Sequence, residues 1–324
     1  MLSRVADAIY WMSRYVERAE NIARFIDVNQ SLALGGAHSQ WSPLIYASGD
    51  EAPYKKLYAD DYSRERVLNF LLLERDNPNS LSQCVRAARE NARAVRGELT
   101  TAMWEAVNRF YLRVREAELD PAEVLRNPSA LIQRVKRSSH QVIGVTAATL
   151  SHTEAWSFSQ LGRLIERADK TSRILDVKYY TLLPNPLAVG STLDVVQWSA
   201  LLESTSSLHM YRKRFGQISP KNVAEFLILD RYFPRSMHFC VNHAEQCLRT
   251  ISGSAPGFFT NTAEQTMGQL NSRLNYASID EIVTSGMHEF IDDFQRRLND
   301  IGEAIFQTFF FVPPMQTQTQ SQQA

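Results

Sequence analysis

Arg14-Tyr-Val-Glu17-Arg18-Ala19-Glu20, followed by Arg24 and Asp27-Val28, returns at a spacing of 149 (163 − 14) as Arg163-Leu-Ile-Glu166-Arg167-Ala168-Asp169, followed by Arg173 and Asp176-Val177. Internal repetition on this scale decides the architecture before any single helix does. Three more blocks recur in the same order. Gln40-Trp41-Ser42-Pro-Leu44 returns as Gln197-Trp198-Ser199-Ala-Leu201, and Tyr54-Lys55-Lys56 as Tyr211-Arg212-Lys213, both at a spacing of 157 (197 − 40). Phe70-Leu-Leu-Leu-Glu74-Arg75 with Pro78, Ser80 and Cys84-Val85 returns as Phe226-Leu-Ile-Leu-Asp230-Arg231 with Pro234, Ser236 and Cys240-Val241. The extra residues of the second copy fall between Leu183 and Gly190, a Pro- and Gly-rich stretch where a loop absorbs insertion at little entropic cost.

Apolar residues recur at spacings of three and four over residues 2 to 34, 83 to 117, 122 to 150, 152 to 182, 193 to 217, 234 to 252 and 280 to 311, and no stretch alternates with period two. The expectation is an all-α helical bundle of two tandem, pseudo-two-fold-related repeats, residues 1–150 and 151–312, packed as one body. The Gln-rich tail 313–324 cannot bury enough apolar surface to offset ordering entropy and is expected to be disordered. Val67 to Leu73 and Val223 to Leu229 suit core helices or strands. The prolines that follow them, Pro78 and Pro234, suit the first turn of the next helix, which would place Arg235 and Ser236 in that turn.

Thirty-five basic residues balance thirty-five acidic ones among 324, so no broad positive field favours nucleic acid or an anionic membrane. Charged residues interrupt every apolar run before it approaches the ~20 residues of a membrane span. Three cysteines, Cys84, Cys240 and Cys247, suit a reducing compartment, so a cytoplasmic protein is expected.

On a helical wheel Arg14, Glu17, Glu20, Asn21, Arg24 and Asp27 share one side, and Trp11, Met12, Tyr15, Val16, Ala19, Ile22, Ala23 and Ile26 share the other. Three readings stand. The charged side is a solvated face laced by Arg14 with Glu17 and Glu20 with Arg24; or it is a polar ligand or partner site; or it is a buried ionic lattice between two motif helices that meet near a pseudo-two-fold axis. Arg18 and Arg167 lie at the border of the apolar face, where a guanidinium needs an acceptor, and both halves keep Arg14, Glu17, Arg18, Arg24 and Asp27 while exchanging apolar identities. The polar cluster under test is therefore Arg14, Glu17, Arg18, Glu20 and Arg24 with Arg163, Glu166, Arg167, Asp169 and Arg173.

Two carboxylates per helix would suit Mg²⁺ at most, no cofactor is expected, and the Glu-x-x-His pattern of di-iron bundles is absent. Cys240 and Cys247 lie about 10 Å apart along one helix, too far to share a zinc ion. Arg235, Ser236 and Arg212 are candidates for anion binding at a helix start. No Gly-rich phosphate loop, Gly-x-Ser-x-Gly elbow or His-Glu-x-x-His helix occurs, so no catalytic residue is assigned.

In Tyr15 to Asn21, Leu161 to Asp169 and Phe226 to Ser236 the chain resembles the bacterial alpha-E family, predicted helical proteins named for a Glu-Arg motif. The motif carries over to Glu17-Arg18 and Glu166-Arg167, without a catalytic role. The resemblance implies genomic company with circularly permuted ATP-grasp proteins that resemble peptide ligases, and with a transglutaminase-like protease. The function expected is an accessory or interaction subunit of an ATP-grasp amide-ligase pathway; the alternative is an enzyme of that pathway with a carboxylate-arginine site for an amino-acid or acyl substrate.

Overall fold

The computed structural model describes residues 1–34, 41–181 and 191–312; the inserted stretch before Gly190 and the Gln-rich tail lie outside them. Among the described residues there is no strand. The helices are α1 Ser3–Leu34, α2 Ser42–Ser48, α3 Glu51–Tyr58, α4 Arg64–Leu72, α5 Leu81–Ala94, α6 Thr101–Ala117, α7 Pro121–Arg126, α8 Ser129–Thr149, α9 Glu154–Thr181, α10 Thr192–Ser204, α11 Leu208–Phe215, α12 Pro220–Leu229, α13 Met237–Ser252, α14 Thr262–Tyr276, α15 Ile279–Ser285 and α16 Met287–Ile305, ending in a π-helical turn at Phe306–Phe310. None is long and apolar enough to cross a membrane.

Helix α1 packs against α5 and α8, and α6 closes that group by touching both. Helix α9 packs in the same way against α13 and α16, closed by α14. The two groups meet through α1 and α9, which run against each other at close range. Small residues allow this: Ser13 and Ser159 share a hydroxyl hydrogen bond of 2.8 Å, and a Cβ on Gly162 would collide with the Tyr10 carbonyl. The short helices cross over, since α2 packs on α9 and α10 on α1. Each half therefore covers the central helix of the other.

This crossing explains why α1 is buried on nearly all sides. Ile9, Met12, Val16, Ala19, Ile22 and Ile26 line an apolar stripe of spacing three and four, while Glu17, Glu20, Asn21 and Arg24 on the opposite side are buried as well. Helix α16 shows the ordinary case: Phe290, Ile291, Phe294, Leu298 and Ile301 face the core, and Arg296, Arg297 and Asp300 face water.

Several expectations are corrected, among them the stretches 193–217, which is the two helices α10 and α11, and 280–311, which Gly286 divides into α15 and α16. The periodic stretch 83–117 is two helices, because Thr100 caps α6 by accepting from the Met103 amide after a 3-10 turn at Arg96–Glu98; Pro128 likewise separates α7 from α8. Helices α2 and α3 are too short to show periodicity, whereas α14 carries Ala263, Met267, Leu270 and Leu274 at spacings of three and four and was within reach of the sequence. Pro234 does not open a helix: Ser236 is the N-cap, its hydroxyl accepting from the Phe239 amide at 3.0 Å, so Pro234 and Arg235 stand in the turn before α13. Ser80 caps α5 in the same manner. The apolar runs before these turns are the helices α4 and α12.

Candidate functional site: a crossed glutamate-arginine lattice and an open cleft

With 3.6 residues per turn, Glu17 and Arg18 point about 100° apart on α1, and Glu166 and Arg167 do the same on α9. When the two helices cross, each arginine reaches the other helix's glutamate. Arg18 Nε and Nη2 donate to Glu166 Oε1 and Oε2 at 2.7 and 2.9 Å. Arg167 Nε and Nη2 donate to Glu17 Oε1 and Oε2 at 2.9 and 2.8 Å. Both are two-pronged guanidinium-carboxylate pairs, the strongest geometry available to these groups. Both glutamates are 0 % exposed. The solvated-face reading is overturned, and Arg14 pairs with Glu166 at 2.9 Å, not with Glu17.

Around Glu17 the polar groups close completely. Arg235 Nη1 donates to Glu17 Oε1 at 3.0 Å, its Nη2 donates to Glu20 Oε1 at 2.6 Å, and Asn21 Nδ2 donates to Glu17 Oε1 at 3.2 Å. Glu20 also accepts from Arg24 Nε at 2.8 Å and from the Ser139 hydroxyl at 2.5 Å. The remaining Arg24 nitrogens meet the Ser206 hydroxyl at 2.5 Å and His140 Nε2 at 3.1 Å. Burial alone would raise the Glu17 and Glu20 carboxyls, but Arg167 and Arg235 around the first and Arg235 around the second outweigh it and hold both below the ordinary range. Arg235 is itself made less basic, first by desolvation and then by Arg167 beside it.

Around Glu166 the pattern is related but looser. Asn79 takes the place of Arg235; it accepts from Arg18 Nη1 at 2.5 Å and donates to Asp50 Oδ1 at 2.7 Å. Lys170 takes the place of Asn21, its ammonium 3.1 Å from Asp169 and 3.8 Å from Glu166. One side thus has arginine in the turn and asparagine on the helix; the other has asparagine in the turn and lysine on the helix. The exchange keeps one cation beside each motif glutamate. Glu166 is again depressed, because Arg18, Arg14 and Lys170 outweigh the opposing effect of burial. Asp169 is depressed too, with Lys170 and Arg173 overcoming desolvation.

The smaller Asn79 leaves space. A cleft of about 560 Å³ opens between α1, α2, α9 and α16, lined by Arg14, Arg18, Asp50, Asn79, Lys170 and Arg173 at its polar end and by Trp11, Leu298, Phe306 and Phe310 at its apolar end. Gly49, in the left-handed region at φ 81°, forms part of the wall, and the Arg173 guanidinium lies against it. Arg173 gives Nε to both Asp169 oxygens at 2.9 and 3.0 Å, and among the described residues its two terminal nitrogens have no hydrogen-bond partner.

The proposed anion-binding trio is not brought together. Arg235 is a counter-ion of Glu17 and Glu20, Ser236 is occupied as an N-cap, and Arg212 is exposed in the last turn of α11. Arg163 stands apart from its relative Arg14. It donates to Gln160, its Nε lacks a partner, and burial followed by repulsion from Arg167 pushes it down to about 10. Cys240, His243 and His238 each bond within the fold, to the Pro234 and Phe239 carbonyls and to the Asn275 side chain. Among the described residues no three His, Cys, Asp or Glu side chains stand together as a metal site would require. The sequence reading missed Asp50, Asn79, Lys170, Ser139 and His140 as site residues; the signal that could have found two of them is the repeat comparison, which sets Asn79 opposite Arg235 and Lys170 opposite Asn21.

A helical body joined by crossed Glu-Arg pairs is the class that this fold and site define. The family model for Alpha-E, a predicted alpha-helical domain with a conserved ER motif, matches residues 1–310, and the chain belongs to that family. It is 24 % identical to an uncharacterized protein of Mycobacterium bovis over 96 % of this chain, and 23 % identical to one of Mycobacterium tuberculosis over the same share. The chain spans 37 % of the length of these relatives. No solved structure matches it.

Proposed function

We propose that this chain is an accessory, interaction-type subunit that works in the cytoplasm beside a circularly permuted ATP-grasp amide ligase, with a transglutaminase-like protease as a further partner. We also propose that it arose by tandem duplication, its halves 1–150 and 151–312 related by a pseudo-two-fold axis. The observation carrying this reading is the fate of the motif: Glu17 and Glu166 are fully buried and each is held by the two-pronged arginine of the other helix. A carboxylate so depressed and enclosed is a poor general base, which needs access to a substrate proton and a basicity near the working pH. The lattice is better suited to setting the register of two helices than to chemistry, because desolvation cancels much of its Coulomb gain.

Co-purification tests the partnership. The chain, expressed with a circularly permuted ATP-grasp protein of the same genome, is expected to elute with it at low salt; separate elution under mild conditions overturns the reading. The competing reading, an enzyme of the same pathway, draws support from the open cleft. Turnover of an amino-acid or acyl substrate by the isolated chain, lost in Glu166→Gln, would establish that reading instead.

A further inference from the structure

We infer that the cleft beside Glu166 binds the carboxylate of a small apolar acid, an acylated amino acid or a peptide C-terminus, with the carboxylate on Arg173 and the apolar portion against Trp11, Phe306 and Phe310. The inference is independent of the partner proposed above.

The two sides of the lattice provide the argument. Arg24 and Arg173 occupy corresponding places on α1 and α9, four residues after Glu20 and Asp169, and each gives Nε to that acid. On the closed side the other Arg24 nitrogens find the Ser206 hydroxyl and His140 Nε2, and Arg235 fills the intervening space. On the open side each of these groups is lacking. Gly49, a left-handed residue as Ser206 is (φ 81° and 53°), has no hydroxyl to offer. From α16 the cleft is lined by Leu298, Asn299, Gly302 and Glu303, none of which is hydrogen-bonded to Arg173 among the described residues, and Asn79 is too short to fill the gap. Among the described residues the guanidinium thus keeps two donor nitrogens with no acceptor while lining a cleft of about 560 Å³, a size typical of small-molecule sites.

At the polar end Arg14, Arg18, Lys170 and Arg173 face Glu166, Asp169 and Asp50, and with Glu303, which also lines the cleft, cations and anions balance; what selects the acceptor is the donor pair of Arg173 with no partner among the described residues. Glu303 is exposed and accepts from Gln307 at 2.7 Å. A single carboxylate matches the flat fork of the Arg173 guanidinium, whereas a dianion would add uncompensated negative charge beside Asp169 and Asp50. The opposite end is aromatic, so the ligand carries an apolar group beside its acid.

Calorimetric titration of the full chain with N-acetylphenylalanine and with N-acetylphenylalaninamide tests the point, alongside the tripeptide Ala-Ala-Phe with a free or an amidated C-terminus. Saturable binding of at least one free acid is expected, with its amide at least about tenfold weaker, the loss that accompanies one charged hydrogen bond. Preference between the acylated amino acid and the tripeptide identifies the source of the carboxylate. Asn79→Arg, which rebuilds the plug supplied by Arg235 on the closed side, should abolish binding, and Arg173→Gln should weaken it about tenfold or more, each with a cooperative thermal transition retained. Equal binding of acid and amide, binding unchanged in Arg173→Gln, or no saturation by either acid up to about 10 mM overturns the inference.

Discussion

Replacing Arg167 by Met keeps an unbranched, flexible apolar stem and removes the guanidinium with its charge. Glu17, 0 % exposed, then loses hydrogen bonds of 2.9 and 2.8 Å and keeps Arg235 and Asn21 as its donors. Removing one partner of a buried ion pair costs about 3–5 kcal/mol, because the remaining charge stays desolvated. Unfolding entropy of roughly 2.1 cal/mol/K per residue over about 310 residues makes 1 kcal/mol worth roughly 1.5 °C, so a drop in Tm of about 5–8 °C is expected. Arg14→Met is the internal contrast: Arg14 is more exposed, and Glu166 keeps the two-pronged Arg18, so the loss is about 1–2 kcal/mol, or roughly 2–3 °C. Arg126→Met, at a surface pair with Glu123, should stay within about 1 °C. Scanning calorimetry of the three variants at pH 7 measures all of these. If Arg167→Met melts with the wild type, or no lower than Arg14→Met, the lattice does not join the halves as argued.

Acid should unfold the protein cooperatively below about pH 4. The carboxyls of Glu17, Glu20, Glu166 and Asp169 titrate lower in the folded chain than in the unfolded one. Their stabilisation is therefore complete above the ordinary carboxylate range near 4 and is lost as pH falls through the depressed values, since the unfolded chain takes up protons first. Urea midpoints from pH 7 to pH 3 should be flat at the top and fall steeply at the bottom; stability that rises as pH drops below 4 would contradict the paired state of these acids. Gly162→Ala places a methyl group against the Tyr10 carbonyl where α9 packs on α1. It should lower Tm by several degrees, consistent with an overpacking cost of about 1–3 kcal/mol, whereas Gly97→Ala, with open space around it, should not. An unchanged Tm in Gly162→Ala would mean that the two helices separate freely.

Much of the candidate site could be read in the sequence as residue identities but not as an arrangement. The wheel placed Arg18 and Arg167 at the border of an apolar face, and a guanidinium there needs an acceptor; it did not say which carboxylate would supply it. It also placed Glu17 and Glu20 opposite the apolar stripe, the usual water side of a helix. They are buried because α8, α9 and the turn carrying Arg235 come from far along the chain and bring Ser139, Arg167 and Arg235 onto them. Arg235 shows the same limit. As a cation next to a helix start it looked ready for a ligand anion, yet an anion from α1 already satisfies it.

The helices, their spacing of three and four, the matched motif blocks and the membership of Glu17, Arg18, Glu166 and Arg167 in one chemistry are properties of neighbouring residues and of direct comparison along the chain, so the sequence alone determines them. Which side of α1 meets water, which glutamate each arginine holds, and why one side of the lattice is plugged while the other is open were decided only in three dimensions. Those outcomes rest on contacts between residues about 150 or more positions apart, as in Arg18 with Glu166 and Arg235 with Glu17, where burial removes water and leaves each charge dependent on a partner that local periodicity does not specify.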